Sequence, residues 1–190
     1  MRDIESKKDI EKRRKKNQFV VGGILILVML GSTFGYAFYQ LGNKTDVTKT
    51  TYNGYKFTSQ NDFWTTTVGS YQFVFRYNPN QVERINSTLS YLDSYSGVPV
   101  YISSQNSAAE VEIDRNLGNV VLRFQGACLT EKNCPENWPI KDCSNKFIII
   151  REANESNVYQ NQSCVFIEGK EENLTELTDE FLFKILSIDN

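Results

Sequence analysis

The chain has 190 residues, a net charge of −2 and no histidine; 40% of its residues are hydrophobic and 13% aromatic. That length and composition support one ordinary domain with a packed core plus accessory segments. The missing imidazole excludes Ser-His-Asp and Cys-His nucleophile systems within the chain and removes the commonest metal ligand.

Residues 1–17 carry eight basic residues, Arg2, Lys7, Lys8, Lys12, Arg13, Arg14, Lys15 and Lys16, against four acids, Asp3, Glu5, Asp9 and Glu11. The remainder holds 13 basic against 19 acidic residues. A net acidic body argues against nucleic acid, which needs phosphate-neutralising charge. The pairs Asp3–Lys7, Asp9–Arg13 and Glu11–Lys15 sit at helical spacing, suited to a short helix near anionic lipid headgroups or to a topology-setting tail.

Phe19–Leu41 is an uncharged run of 23 residues. As a helix it reaches roughly 34 Å, enough for a hydrocarbon core of about 30 Å. Tyr36, Phe38 and Tyr39 gather at one end, as aromatic rings do at a membrane interface. Beside a dense basic cluster, the run fits a bilayer better than a buried core helix. Positive charge stays inside, so the N-terminus is expected in the cytoplasm and residues 42–190 outside. The other export reading is a cleaved secretory signal, with Val20–Leu30 as its apolar core and Gly35-Tyr36-Ala37 near the cleavage point. Gly31 and Gly35 form a G-x-x-x-G pair, which allows a homo-oligomer through the span.

Residues 42–53 are polar and Thr-rich and read as a stalk. Tyr71, Phe73, Phe75 and Tyr77 alternate with Gln72, Val74 and Arg76, the period of a strand. Gly69-Ser70 suits a two-residue hairpin turn. That register sets Val68 opposite Tyr71, Thr66 opposite Phe73 and Trp64 opposite Phe75, with rings on one face. Tyr55 and Phe57 supply a third strand. The ring ladder reads as core beneath a helix, with a sugar- or peptide-binding stripe as the other reading.

Asn78-Pro79-Asn80-Gln81 resembles a helix start, and Val82, Ile85, Leu89 and Leu92 fall near one helical face. Residues 98–104 read as a strand. Ser107 and Glu110 form a capping box that opens a helix to about Leu117. Residues 119–125 read as the next strand, and strand, helix, strand in that order suggest a parallel crossover. Residues 146–152 and 164–169 are apolar strands, with 153–157 a turn. A final helix over 173–188 carries Leu174, Leu177, Phe181, Ile185 and Ile188 on one stripe.

Cys128, Cys134, Cys143 and Cys164 lack the C-x2–4-C knuckles of zinc sites and the C-x-x-C of redox centres. An even count confined to the exported part reads as two disulfides. Of the three connectivities, Cys128–Cys134 with Cys143–Cys164 is expected. Asn43, Asn86, Asn154, Asn161 and Asn173 each begin an N-x-S/T sequon, which agrees with export.

The stretches "YNGYKF…FW", "NCPENWPIKDC" and "CVFIEG…LTDEFLFKIL" resemble small single-pass membrane proteins of archaea with reduced genomes, over most of residues 52–188. The resemblance implies an exported archaeal domain, where N-x-S/T glycosylation also occurs. It implies no activity, cofactor or catalytic residue.

The expected fold is therefore α+β: a basic tail (1–18), a transmembrane helix (19–41), a stalk (42–53) and one disulfide-stapled extracytoplasmic domain (54–190). That domain has a mixed sheet and about three helices. Two acid groups are the candidates for hydrolytic chemistry, Glu110, Glu112 and Asp114 on or beside the second helix, and Glu168, Glu171 and Glu172 before the last. Acids at a helix start are also favoured by its dipole. No catalytic residue, metal site or cofactor is assigned. The expected function is a membrane-anchored binding or structural module, an interaction subunit of the cell envelope with an envelope protein or a glycan as partner. The alternative is a carboxylate-based hydrolase acting on glycans.

Overall fold

The computed structural model describes residues 7–42, 47–131 and 134–189, and the side chains of 7–14 and 33–42 lie outside the described set. The chain divides into a unit of residues 1–46 and a unit of residues 47–190.

The first unit is one helix, α1 (Lys7–Gly42), of 36 residues. Its described apolar side chains are open to their surroundings, with Phe19 83%, Leu27 70% and Met29 71% exposed. Among the described residues no helix is long and apolar enough to cross a membrane. The apolar run continues past Ser32, where the described side chains of this unit end. Asn43, the surroundings of Gly35, the rings at 36–39 and the charge pairs of the tail fall outside the described residues.

The second unit opens with an antiparallel meander, β1 (Thr48–Tyr52), β2 (Tyr55–Gln60), β3 (Phe63–Val68) and β4 (Tyr71–Phe75), in that order across the sheet. Thr48–Tyr52 thus belong to the sheet and not to a stalk. Asn53 and Gly54 both take positive φ between β1 and β2, as a tight hairpin turn requires. Gly69 does so between β3 and β4, and the register there is Val68 to Tyr71, Thr66 to Phe73 and Trp64 to Phe75, as the sequence implies.

The mixed sheet is separate and has five strands: β5 (Pro99–Ser104), β6 (Arg123–Gly126), β7 (Phe147–Glu152), β8 (Asn157–Asn161) and β9 (Cys164–Gly169), ordered β6-β5-β7-β9-β8. All contacts are parallel except β8 with β9. Helix α2 (Ser107–Leu117) makes the expected crossover from β5 to β6, but its cap is Asn106 and not the expected Ser107–Glu110 box: the Asn106 Oδ1 accepts the Ala109 N–H at 2.9 Å. Helix α3 (Leu174–Ile185) carries the expected buried stripe.

The two helices form the middle layer. Phe183 of α3 meets Phe57 and Phe75 of the meander, with centroids 6.0 and 4.6 Å away. On its other side α3 packs on β7, β8 and β9. A helix between two sheets has no wet face, which explains why Thr178, Asp179 and Glu180 are 0% exposed beside the apolar stripe.

The helix expected from Asn78 does not form. Its first turn closes locally: the Gln81 side chain accepts the Asn78 N–H at 2.9 Å and the Gln81 N–H reaches the Asn78 carbonyl at 2.8 Å. Beyond it, side chains take the main-chain N–H groups that a helix would use. Glu176 accepts from Glu83 at 2.9 Å, Glu180 from Ile85 at 3.2 Å and Gln160 from Ser90 at 2.8 Å. Val82, Ile85, Leu89 and Leu92 still pack on the core from this irregular strap. Three α-helices occur among the described residues, two of them in this unit, with 3-10 turns at Leu92–Tyr95 and Glu171–Asn173.

Candidate functional site

Both disulfides are formed as expected, Cys128–Cys134 with Cα atoms 5.9 Å apart and Cys143–Cys164 at 4.9 Å. They staple the described residues of the loop, 127–131 and 134–146, across the face of the mixed sheet that the helices leave open. Tyr101, Ala127, Phe147, Ile149, Cys164 and Phe166 form a second small core there, with Leu129 and Cys143 against it.

The strand order places a reversal at this face. From β5 the chain passes through α2 to β6 on one side, then returns to β7 on the other. Where successive crossovers leave a parallel sheet in opposite directions, a crevice opens at the carboxyl ends of the strands between them. Here the second crossover is the cysteine loop. A cavity of about 430 Å³ lies there, lined by Ser103, Gln105, Thr130, Trp138, Ile149 and Arg151 among others.

The loop is fixed by short-range geometry. The Cys128 N–H donates to the Pro139 carbonyl at 3.0 Å, the Lys141 N–H to the Cys128 carbonyl at 2.8 Å and the Trp138 N–H to the Pro135 carbonyl at 2.9 Å. The Trp138 ring lies directly on Gly126, where a Cβ would come within 2.5 Å of it. The indole is nonetheless 37% exposed. Arg151 is charge-balanced: its Nε donates to Glu168 at 2.7 Å, and Glu168 also accepts from the Tyr159 hydroxyl at 3.2 Å.

Of these candidate acids, Asp114, Glu171 and Glu172 are exposed, Glu110 is half-buried and Glu168 is held by Arg151. The two groups do not meet across a cleft. Only Glu112 is buried, and its carboxyl partner is Asp179, a residue sequence reasoning passed over. Glu112 accepts the Arg76 N–H at 3.0 Å and an Arg115 N–H at 2.9 Å; Asp179 accepts the Tyr77 N–H at 2.8 Å. Burial raises both acids above the usual carboxyl range, Asp179 well above it, and each feels the other. Burial also raises Glu180. The signal that could have found these acids is the unbroken run Phe181-Leu182-Phe183, which covers more than one helical face and marks α3 as buried all round.

Among the sequons, Asn86, Asn154 and Asn161 are exposed and Asn173 is half-buried at the start of α3. Gly31 lies within α1 with open space where a Cβ would stand. No group of acids, cysteines or histidines among the described residues is arranged to hold a metal ion. No family model, no curated protein and no solved structure matches the chain.

Proposed function

We propose that the chain is a single-pass envelope protein, anchored by residues 19–41 with its N-terminus in the cytoplasm, whose residues 47–189 form an extracytoplasmic module that works by binding. The observation that carries this reading is an unbroken helix on which Phe19, Val20, Val21 and Ile24 through Leu30 are all exposed. Such a row of bare apolar side chains is costly in water and favourable in lipid. The basic residues before it orient it, and two disulfides suit an oxidising compartment. The crevice under the cysteine loop is the contact site in this reading: it is concave, partly apolar, and rimmed by a few placed polar groups.

The test is membrane fractionation of cells expressing the full chain, followed by protease treatment of intact cells. The reading expects resistance to carbonate extraction and digestion of residues 47–190 from outside. Recovery in the soluble fraction, with no processed form, would refute it.

A further inference from the structure

We propose that the crevice under the Cys128–Cys134 loop binds a neutral sugar ring stacked on Trp138, an inference that rests on reading this unit as a binding module. One face of the indole is fixed against Gly126, and the ring remains 37% exposed at the crevice. It is therefore a rigid, flat platform with a polar edge, costing little conformational entropy on binding.

The polar groups around it narrow the ligand class. Ser104 is already committed, its hydroxyl donating to the Asn106 carbonyl at 2.7 Å and accepting the Asn106 N–H at 3.1 Å. Gln105 spends its carbonyl on the Glu152 N–H at 2.8 Å, which leaves its amide N–H groups to donate. The Ser103 and Thr130 hydroxyls have no hydrogen bond within the described residues, and each can donate and accept. Among the described residues that line the crevice, the single cation, Arg151, is balanced by Glu168. A ligand that matches has one flat apolar face and a ring of hydroxyls, with no charge. A pyranose has that shape: axial C–H groups on a face and hydroxyls around the edge. Among the described lining residues an anion would find no unpaired cation, and a purely apolar ligand would strand three polar side chains.

Full-length protein in a detergent without sugar headgroups can be tested by saturation-transfer NMR. The probes are methyl β-glucopyranoside, methyl α-mannopyranoside and diacetylchitobiose, with glycerol as control. At least one glycoside should show saturable transfer, strongest at the protons of one ring face. Trp138→Ala should abolish it, and Thr130→Val should weaken affinity about fivefold, the loss of one hydrogen bond. Far-ultraviolet dichroism checks that each variant is folded, and Trp138→Phe, which keeps a smaller platform, should bind weakly if Trp138→Ala fails to fold. The inference is overturned if no glycoside gives transfer, if transfer survives in folded Trp138→Ala, or if glycerol gives the same transfer as the glycosides. A protein that meets the topology test above yet ignores all three glycosides sinks the sugar assignment and leaves the anchored-module reading standing.

Discussion

The fully buried carboxyl of Asp179 interacts electrostatically with the buried carboxyl of Glu112 while its Oδ2 accepts the Tyr77 N–H at 2.8 Å. The contact joins α3 to α2 and to the strap that follows β4. Its Oδ1 has no partner among the described residues. Asp179→Asn keeps the acceptor and replaces the titrating carboxyl with a neutral amide, so urea unfolding should find it within about 1 kcal/mol of the parent. Asp179→Ala strands the Tyr77 N–H and should cost about 2–4 kcal/mol. Equal losses in both variants would contradict this role.

The same acids set a pH dependence. Glu112, Asp179 and Glu180 are raised by burial, against the pull of Arg115 on Glu112 and Lys184 on Glu180 and with Asp189 adding to the rise. The folded chain therefore keeps protons that the unfolded chain releases above about pH 4. Stability falls as pH rises wherever the folded state binds more protons. Unfolding midpoints should drop between mildly acidic and neutral pH, and Asp179→Asn should flatten the slope. A midpoint that climbs through that window would show the assignment to be wrong.

Asn116 protects the outer edge of the meander. Its Oδ1 accepts the Val74 N–H at 2.8 Å and its Nδ2 donates to the Val74 carbonyl at 2.7 Å, which is how a neighbouring strand would pair. Asn116→Ala leaves that edge bare. It should lower stability by about 2 kcal/mol and raise concentration-dependent association, measured by light scattering.

These polar clamps explain what could be read from the sequence and what could not. Strands with strict alternation, such as Tyr71–Phe75, and the Gly69-Ser70 turn announce themselves locally, down to the register. The even count of cysteines without metal or redox spacing announced two disulfides, whereas which sulfurs pair is set by the fold, and the structure forms the expected one of three connectivities. Thr48–Tyr52 went unseen as a strand because their polarity suggested a stalk, although β-branched threonines before Asn53-Gly54 favour a hairpin. Asn157–Asn161 hid for a similar reason, with Val158 its one buried side chain. The strap after Asn78 has a helix's apolar spacing, and distant acids on α3 override it. No local signal tells a strap that its N–H groups will be claimed by Glu176 and Glu180, nearly a hundred residues away. The crevice was out of reach too, because it depends on strand order.

The disulfides should differ in weight. Cys143–Cys164 spans a separation of 21 residues and includes a fully buried sulfur, whereas Cys128–Cys134 spans 6. Chain entropy gives roughly 3 kcal/mol for the longer loop and roughly 2 for the shorter. Paired Cys→Ala variants compared by urea unfolding should show that order. The reverse order would mean that the shorter bridge holds more of the fold than the loop beneath Trp138.

The most direct measurement is maleimide labelling of intact cells that express the full chain, read on membrane fractions by gel shift. The anchored-module account predicts no labelling of the four cysteines until an impermeant reductant is added outside, then labelling of all four by an impermeant maleimide. Labelling without reductant, or labelling that needs the membrane broken first, would contradict it.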